Sequence, residues 1–270
     1  MPPVDIVPPA SALVAPGLAG GEAIMLLAVV GRMPPPEMLL AAAAAPPLRA
    51  SGGARRWSAD AWALVRSGGV AASAGPAAGA YGGSQAGAVL RYRLAPGNPH
   101  KPAAYLRASA ALNGSGEREI AAGLSARPIG EVPVAVAAEG RLGRLGGRVA
   151  ARPALMAATE IAPVTLPGKA RAEFYLQAGY VGGLGATPFI DGQVRIDRRV
   201  AQVGPVELRT GAGAWGGAQQ GAGRLDVGPS ATLGIAQNQA SARIGLDWRF
   251  RVKGRARPSS GPALTISAGF

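Results

Sequence analysis

The stretch PALTISAGF, residues 262–270, decides the fold because two kinds of residue alternate along it without interruption. One set of alternate positions is apolar: Leu264, Ile266, Ala268 and Phe270. The other set is small or polar: Thr265, Ser267 and Gly269. Because successive side chains of a strand point to opposite faces, the stretch predicts a β-strand with one apolar face and one polar face.

The same period of two extends back through most of the chain. In ARIGLDWRFRV, residues 242–252, every even position is apolar and every odd position is arginine, glycine or aspartate. Weaker alternation separated by turn sequences continues back to about residue 57. The pattern predicts twelve strands and no helix, with ten or fourteen strands left open. The predicted strands are 57–67, 82–94, 103–112, 117–126, 132–142, 147–158, 170–181, 189–200, 205–215, 223–236, 240–252 and 262–270.

Composition narrows the class of protein. The 270 residues include 41 glycines, 48% are hydrophobic and only 5% are aromatic, which is too apolar for disorder and too glycine-rich for a helical bundle. The absence of cysteine excludes disulfides and thiolate metal sites. Residues 1–54 are rich in proline and alanine and predict a poorly ordered tail or linker before a barrel domain over 55–270.

Alternation alone does not show which face contacts water, because the strands of soluble sandwiches and barrels also alternate apolar and polar residues. The apolar face contains residues such as alanine and leucine but few bulky aromatics, whereas a soluble core needs larger side chains. The polar face combines glycine with paired charges, such as Glu207 beside Arg209. These features predict an all-β fold, an antiparallel transmembrane β-barrel of about twelve strands, in the bacterial outer membrane.

The final strand also resembles the assembly signal of bacterial outer-membrane barrels. That resemblance rests on an alternating last strand that ends in an aromatic residue, here Phe270. It implies recognition by the barrel-assembly machinery through Leu264, Ile266, Ala268 and Phe270.

The net charge of +13 implies an anionic partner. The arginines predicted to line the lumen are Arg91, Arg93, Arg107, Arg148, Arg152, Arg171, Arg195, Arg209, Arg224, Arg243, Arg249 and Arg251. The acids predicted among them are Glu119, Glu139, Glu173, Glu207, Asp226 and Asp247. Two interpretations stay open: a positively biased lumen that selects anionic solutes, and structural bracing by arginine–carboxylate pairs.

Several motifs resemble the C-terminal barrel of NfrA-type outer-membrane proteins, which are described as phage-adsorption proteins and linked to exopolysaccharide secretion. The motifs are GSQAG at 83–87, GAGAWG at 211–216, RLDVGP at 224–229, DWRFRV at 247–252 and GPALT at 261–265. The likeness covers about residues 55–270. Members of that family carry periplasmic helical repeats before the barrel. The resemblance therefore implies either that the start of this sequence is truncated or that a separate helical-repeat protein supplies the repeats.

These features favour a channel for exopolysaccharide or another anionic solute. The alternative is a surface receptor of the phage-adsorption type, or a structural barrel with a closed lumen. A soluble nucleic-acid-binding protein is disfavoured, because the arginines are spread along the strands without stacking aromatics. Besides the assembly machinery, the expected partners are outer-membrane lipid and lipopolysaccharide, with anionic polysaccharide as the substrate. Lys253, Arg255 and Arg257 lie in the last predicted loop, which could bridge lipopolysaccharide phosphates, although a solvated basic loop is favoured.

Catalysis is not expected. The single histidine, His100, lies in a proline-rich turn, so the sequence offers no serine–histidine–aspartate triad. No carboxylate pair is marked as catalytic, and no cofactor or metal site is predicted.

Overall fold

The computed structural model describes residues 55–67, 83–112, 117–145, 148–237 and 239–270. The tail predicted over residues 1–54 lies outside them. Within the described residues the chain forms thirteen strands. They are β1 Trp57–Arg66, β2 Gln85–Arg93, β3 Ala103–Ala111, β4 Arg118–Ala126, β5 Val134–Leu145, β6 Arg148–Thr159, β7 Val164–Leu166, β8 Ala170–Val181, β9 Thr187–Val203, β10 Val206–Gln219, β11 Ala222–Gln237, β12 Ala240–Gly254 and β13 Gly261–Gly269.

Twelve of these strands close into an antiparallel barrel. Each pairs with its neighbours in chain order, β6 pairs directly with β8, and the three-residue β7 pairs only with β8. The barrel closes where β1 pairs with β13, in a register that runs from Asp60 opposite Gly269 to Arg66 opposite Ala263. Reciprocal backbone hydrogen bonds between Ala59 and Phe270, of 3.2 and 3.0 Å, extend this seam. The prediction of an all-β, twelve-strand antiparallel barrel is confirmed.

The predicted strand 170–181 coincides with β8, and six other predicted strands begin and end within one residue of an observed one. In the middle, β9 and β10 run several residues further than predicted, because the turns that join β9 to β10 and β10 to β11 have only two residues each. Gly204 and Gly221 occupy these turns with φ of 56° and 79°, a conformation that glycine adopts at no steric cost. The run Gly216–Gly217 continues β10, although glycine pairs usually indicate a turn.

The strands differ in length around the barrel. β2, β3 and β4 have nine residues each, whereas β9 has 17 and β11 has 16. The long strands β9 and β11 both pair with β10, which has 14 residues. The barrel wall therefore has a short side and a tall side.

Large apolar side chains cover the outside of the barrel. Leu106, Ile120, Leu155 and Leu246 are 60, 59, 59 and 56% exposed, while their neighbours along each strand point inward. A soluble protein would bury these residues, so the outer wall is suited to lipid. A closed barrel with an apolar exterior and a charged interior is the architecture of bacterial outer-membrane proteins, as the sequence predicts.

No helix among the described residues is long and apolar enough to cross a membrane.

The tryptophans divide between the two faces. Trp57 and Trp248 are exposed on the outside, whereas Trp62 and Trp215 are 3 and 4% exposed and face the interior. Interfacial girdles are usually rich in tyrosine and tryptophan. Half of the tryptophans therefore serve the interior of this barrel.

Candidate functional site: the barrel interior

The interior concentrates buried charge. Nine arginines and seven carboxylates are buried there, an excess of two positive charges. The arginines are Arg66, Arg107, Arg141, Arg152, Arg195, Arg209, Arg224, Arg243 and Arg249. The carboxylates are Glu119, Glu139, Glu173, Asp191, Asp197, Asp226 and Asp247. Because isolated buried ions are costly, these groups must be stabilised by one another.

One group of charges braces adjacent strands along the wall. Arg107 on β3 donates to Glu119 on β4 and to Glu139 on β5, at 2.8 and 2.7 Å. Arg141 also pairs with Glu139 at 2.6 Å, and Arg152 on β6 pairs with Glu119 at 3.0 Å. We call these five residues the wall cluster. They connect four neighbouring strands, as the bracing interpretation predicts.

A second group joins strands that are not neighbours. Both terminal nitrogens of Arg243 on β12 donate to the carboxylate of Glu173 on β8, each at 2.8 Å. Three strands separate β8 from β12 in the sheet, so this bidentate pair crosses the interior. Arg171 also contacts Glu173 at 2.9 Å. We call Arg243–Glu173 the cross-lumen pair.

The same end of the interior contains Asp197, which contacts Arg209 and the Arg171 already named. Arg209 donates to Asp197 and also to Glu207 on its own strand. Arg171 approaches Asp197 at 3.5 Å. Here the carboxylates match the arginines closely in number.

Two aspartates elsewhere are shared between pairs of arginines. Asp247 binds Arg195 at 3.3 Å through one oxygen and Arg249 at 3.1 Å through the other. Asp226 binds Arg66 at 2.9 Å and Arg224 at 2.8 Å. Four guanidinium groups therefore share two carboxylates, which equals the charge excess of the buried interior.

The loop after β12 folds over this region. Arg224 donates to the carbonyl oxygens of Ala256 and Pro258 at 3.3 and 2.7 Å. Arg251 donates to the Ala256 carbonyl at 3.1 Å. The backbone of the loop is thereby fixed from inside the barrel. The side chains of Lys253, near the end of β12, and of the loop residues Arg255 and Arg257 are exposed.

Aromatic rings lie on the inner wall above glycines. A Cβ on Gly123 would lie 2.7 Å from the Tyr105 ring, its direct partner on β3. A Cβ on Gly213 would lie 2.6 Å from the Trp215 ring. Gly87 is the cross-strand partner of Trp62 and lies equally close to its ring. Glycine at these positions lets the ring lie flat against the wall.

The structure places most of the predicted lumen residues inside the barrel. Twelve are buried: Arg107, Arg152, Arg195, Arg209, Arg224, Arg243, Arg249, Glu119, Glu139, Glu173, Asp226 and Asp247. Four are half-buried: Arg91, Arg171, Arg251 and Glu207. Arg91 pairs with the similarly half-buried Asp60.

Two of the predicted lumen residues are exposed at strand ends, and their place in the lumen stays a prediction. Arg93 is the last residue of β2 and Arg148 is the first residue of β6, and both are exposed. At a strand end the alternation continues, but the opposite wall no longer covers the side chain.

Four buried charges escaped the prediction: Arg66, Arg141, Asp191 and Asp197. The signal was present for Asp197, which lies two positions after Arg195 and therefore on the same face. Trp215 was missed as well, although it follows Arg209, Gly211 and Gly213 in alternation. Its inward position was obscured because bulky aromatics are expected on the lipid face.

The four residues predicted as an assembly signal all project outward from β13. Leu264, Ile266 and Phe270 are 36, 47 and 55% exposed, and Ala268 is exposed as well. They form one continuous apolar strip beside the seam. Their recognition by assembly machinery stays a prediction.

Among the described residues, no group of His, Cys, Asp and Glu has the geometry to hold a metal ion. His100 lies in the loop between β2 and β3, and its Nδ1 is 2.8 Å from the carbonyl oxygen of Arg127. It belongs to the loops there and is separate from the interior charges.

No family model matches the chain, and no curated protein matches it. Several solved structures resemble the chain in fold. The β domain of the Bordetella autotransporter BrkA has a TM-score of 0.41 at 11% identity, covering 79% of this chain and 97% of that one. A bacterial polysaccharide outer membrane secretin has a TM-score of 0.39 at 8% identity, with coverage of 81% and 99%. The KdgM porin has a TM-score of 0.38 at 7% identity, with coverage of 79% and 98%.

Proposed function

We propose that the protein is an outer-membrane channel for an anionic solute, with exopolysaccharide as the solute class. The observation that carries this proposal is the buried excess of positive charge, nine arginines against seven carboxylates. Asp226 and Asp247 are each shared by two arginines. Fixed charges along a low-dielectric passage attract ions of opposite sign and reject ions of the same sign. The NfrA-type resemblance of the barrel motifs supports polysaccharide as the substrate.

The proposal assigns no catalytic step to the interior. The carboxylates of the wall cluster are held between guanidinium groups, as in Glu139 between Arg107 and Arg141. A carboxylate so paired is a poor candidate for accepting a substrate proton. The proposed partners are lipopolysaccharide at the exposed basic loop, the barrel-assembly machinery at β13, and a periplasmic helical-repeat protein.

A second function is favoured by the cross-lumen pair. Arg243 and Glu173 connect non-neighbouring parts of the wall through two hydrogen bonds of 2.8 Å, and they narrow any passage between them. A barrel that stays closed in this way would act as a surface receptor or a structural element. The loop after β12, whose backbone is fixed by Arg224, would then present a stable surface.

Reconstitution into planar bilayers separates the two functions. A channel of the proposed kind conducts, and a salt gradient gives a reversal potential that reports anion preference. Cation preference would contradict the positively biased lumen. Failure to conduct over a wide voltage range, with folding checked by heat-modifiable gel mobility, would favour the closed receptor.

A further inference from the structure

Two arginines lie opposite each other on the outer face of the barrel. The buried Glu119 on β4 and Arg141 on β5 fix which alternate positions of these strands point inward. Arg118 and Arg144 fall on the outward phase, and both are exposed. Glu119 pairs with Gly143 across the two strands, so at the next position the two outward arginines come face to face. We call Arg118 and Arg144 the rim pair.

The rim pair has no counter-ion on the outer face. Neither of its side chains forms an ion pair or a hydrogen bond with a described residue. The outward positions beside it on β3 and β6 are Ala110 and Val149, which carry no charge. Glu117 is the one acid in the two turns at this end, residues 112–117 and 146–147, and it lies on the inward phase. Arg148 adds a third exposed cation, so three arginines stand against one carboxylate. Like charges directly opposite each other repel, and an anion between them removes that repulsion.

An apolar depression begins one row below the rim pair and has a volume of about 1360 Å³. Ile120 and Leu142, the next outward residues along β4 and β5, line it. Leu106 and Phe270 line it further along the wall. All four side chains are among the exposed large hydrophobic ones, so the depression lies on the outer face. Gly140 lines it as well, and no atom lies within 4 Å of a Cβ there, which leaves the surface open at that point.

The loops indicate which leaflet of the membrane the rim pair faces. The end of β1 and the start of β2 lie at the same end of the barrel as the rim pair. Their connection, residues 67–84, is the longest between consecutive strands of the barrel. Outer-membrane barrels have short periplasmic turns and longer extracellular loops. The rim pair therefore lies at the outer leaflet.

We propose that the rim pair and the depression together bind one glycolipid of the outer leaflet that carries two phosphates and several acyl chains, which is the chemistry of the lipid anchor of lipopolysaccharide. Guanidinium groups bind phosphate oxygens in a bidentate manner. The depression exceeds the volume of typical small-molecule sites, about 300–1,000 Å³, and so has room for several chains. A phospholipid, with one phosphate and two chains, matches the site less well.

The inference rests on lipopolysaccharide as a proposed partner, but it assigns that partner a site on the wall in place of the loop after β12. Native mass spectrometry of the detergent-folded full chain with diphosphoryl lipid A tests it. We expect one saturable lipid A per barrel, at least threefold weaker binding of monophosphoryl lipid A and at least tenfold weaker binding of phosphatidylglycerol. Equal affinity for either of these two lipids would overturn the proposal, as would the lack of saturable lipid A binding.

The double variant Arg118→Gln with Arg144→Gln removes the rim pair. Its matched control is Arg255→Gln with Arg257→Gln, which removes two exposed arginines from the loop at the same end of the barrel. We expect at least a tenfold loss of lipid A affinity in the first variant and less than a twofold change in the second. Equal losses would mean that general positive charge attracts the lipid, and a loss confined to the loop variant would move the site to the loop. Either result overturns the proposal.

Gly140→Leu tests the depression while every charge is kept. The open space at Gly140 accepts the larger side chain, which then occupies room that the acyl chains need. We expect at least threefold weaker binding of lipid A. Ala178→Leu is the control, because Ala178 is exposed on the outer face of β8 and lies outside the depression. Unchanged affinity in Gly140→Leu would contradict the proposal, even if the double arginine variant does not fold.

Lipid binding and conduction are measured separately, so the site and the channel can fail independently. Saturable lipid A binding without conduction in planar bilayers would retain the site and reject the channel. Conduction without saturable lipid A binding would retain the channel and reject the site.

Discussion

Glu173 contacts two arginines inside the barrel. It accepts two hydrogen bonds from Arg243 and contacts Arg171, and its side chain is 7% exposed. Glu173→Gln would leave two guanidinium groups with less compensation inside the barrel. We expect the free energy of unfolding to fall by about 3–5 kcal/mol, measured by urea unfolding in lipid vesicles.

Glu207→Gln is the control for that substitution. Glu207 is 26% exposed and its partner Arg209 keeps Asp197, so we expect a change of about 1 kcal/mol or less. Similar losses in the two variants would show that burial of Glu173 adds nothing to its contribution.

Gly87 is the residue that allows Trp62 to lie flat on the inner wall. A Cβ at this position would overlap the indole and lie 2.9 Å from the carbonyl oxygen of Ala108. We expect Gly87→Ala to lower the free energy of unfolding by about 1–3 kcal/mol through overpacking, with a change in tryptophan emission as the ring moves.

Gly140→Ala is the matched control. No atom lies within 4 Å of a Cβ at Gly140, which faces outward on β5. The free energy of unfolding of the Gly140→Ala variant should stay within about 0.5 kcal/mol of that of the native chain. A larger effect at Gly140 than at Gly87 would contradict the role given to the ring.

At the scale of elements, β13 forms half of the closing seam and presents an aromatic residue at its end. Phe270 is 55% exposed on the outside, and its backbone pairs with Ala59. Because its side chain supports little internal packing, Phe270→Ala should leave refolding in detergent unchanged. In cells we expect a clear fall in the folded, heat-modifiable fraction if machinery recognises this residue.

Phe250→Ala controls for the loss of an outward aromatic. Phe250 is 49% exposed on the neighbouring strand β12. Equal assembly of the two variants in cells would reject β13 as the address and leave it as an ordinary wall strand.

The strands themselves were predictable because one physical rule governs them. Alternation placed Arg243, Asp247 and Arg249 on one face of β12, and the structure puts them inside. Partners such as Glu173 for Arg243 were not predictable, since they are 70 residues apart and on strands that meet only after closure. Strand ends were also beyond the pattern, as the exposed Arg93 shows.

At the scale of the whole molecule, the cross-lumen pair controls how wide the passage is. In Arg243→Gln with Glu173→Gln, both charges are replaced together, which avoids leaving one buried ion alone. We expect larger single-channel conductance than in the native barrel, measured in planar bilayers. The double variant Arg209→Gln with Glu207→Gln alters a pair on one strand along the wall and should leave conductance nearly unchanged.

An increase of similar size in both double variants would indicate general loosening of the barrel. Unchanged conductance in the Arg243 and Glu173 double variant would place the constriction elsewhere in the barrel.

The unequal wall has a consequence for the surrounding bilayer. With a rise of about 3.3 Å per residue and a strand tilt of about 40°, the nine-residue β3 spans roughly 23 Å of the bilayer normal, less than the hydrocarbon thickness of about 30 Å, and the 17-residue β9 spans roughly 43 Å. Lipids next to the short side must therefore thin or tilt to match it, whereas those beside the tall side need not. Such hydrophobic mismatch costs fractions of a kcal/mol per Å, and it falls when two short sides share one thinned patch of bilayer. Lipid elasticity alone thus gives the barrel a preferred side on which to meet its neighbours.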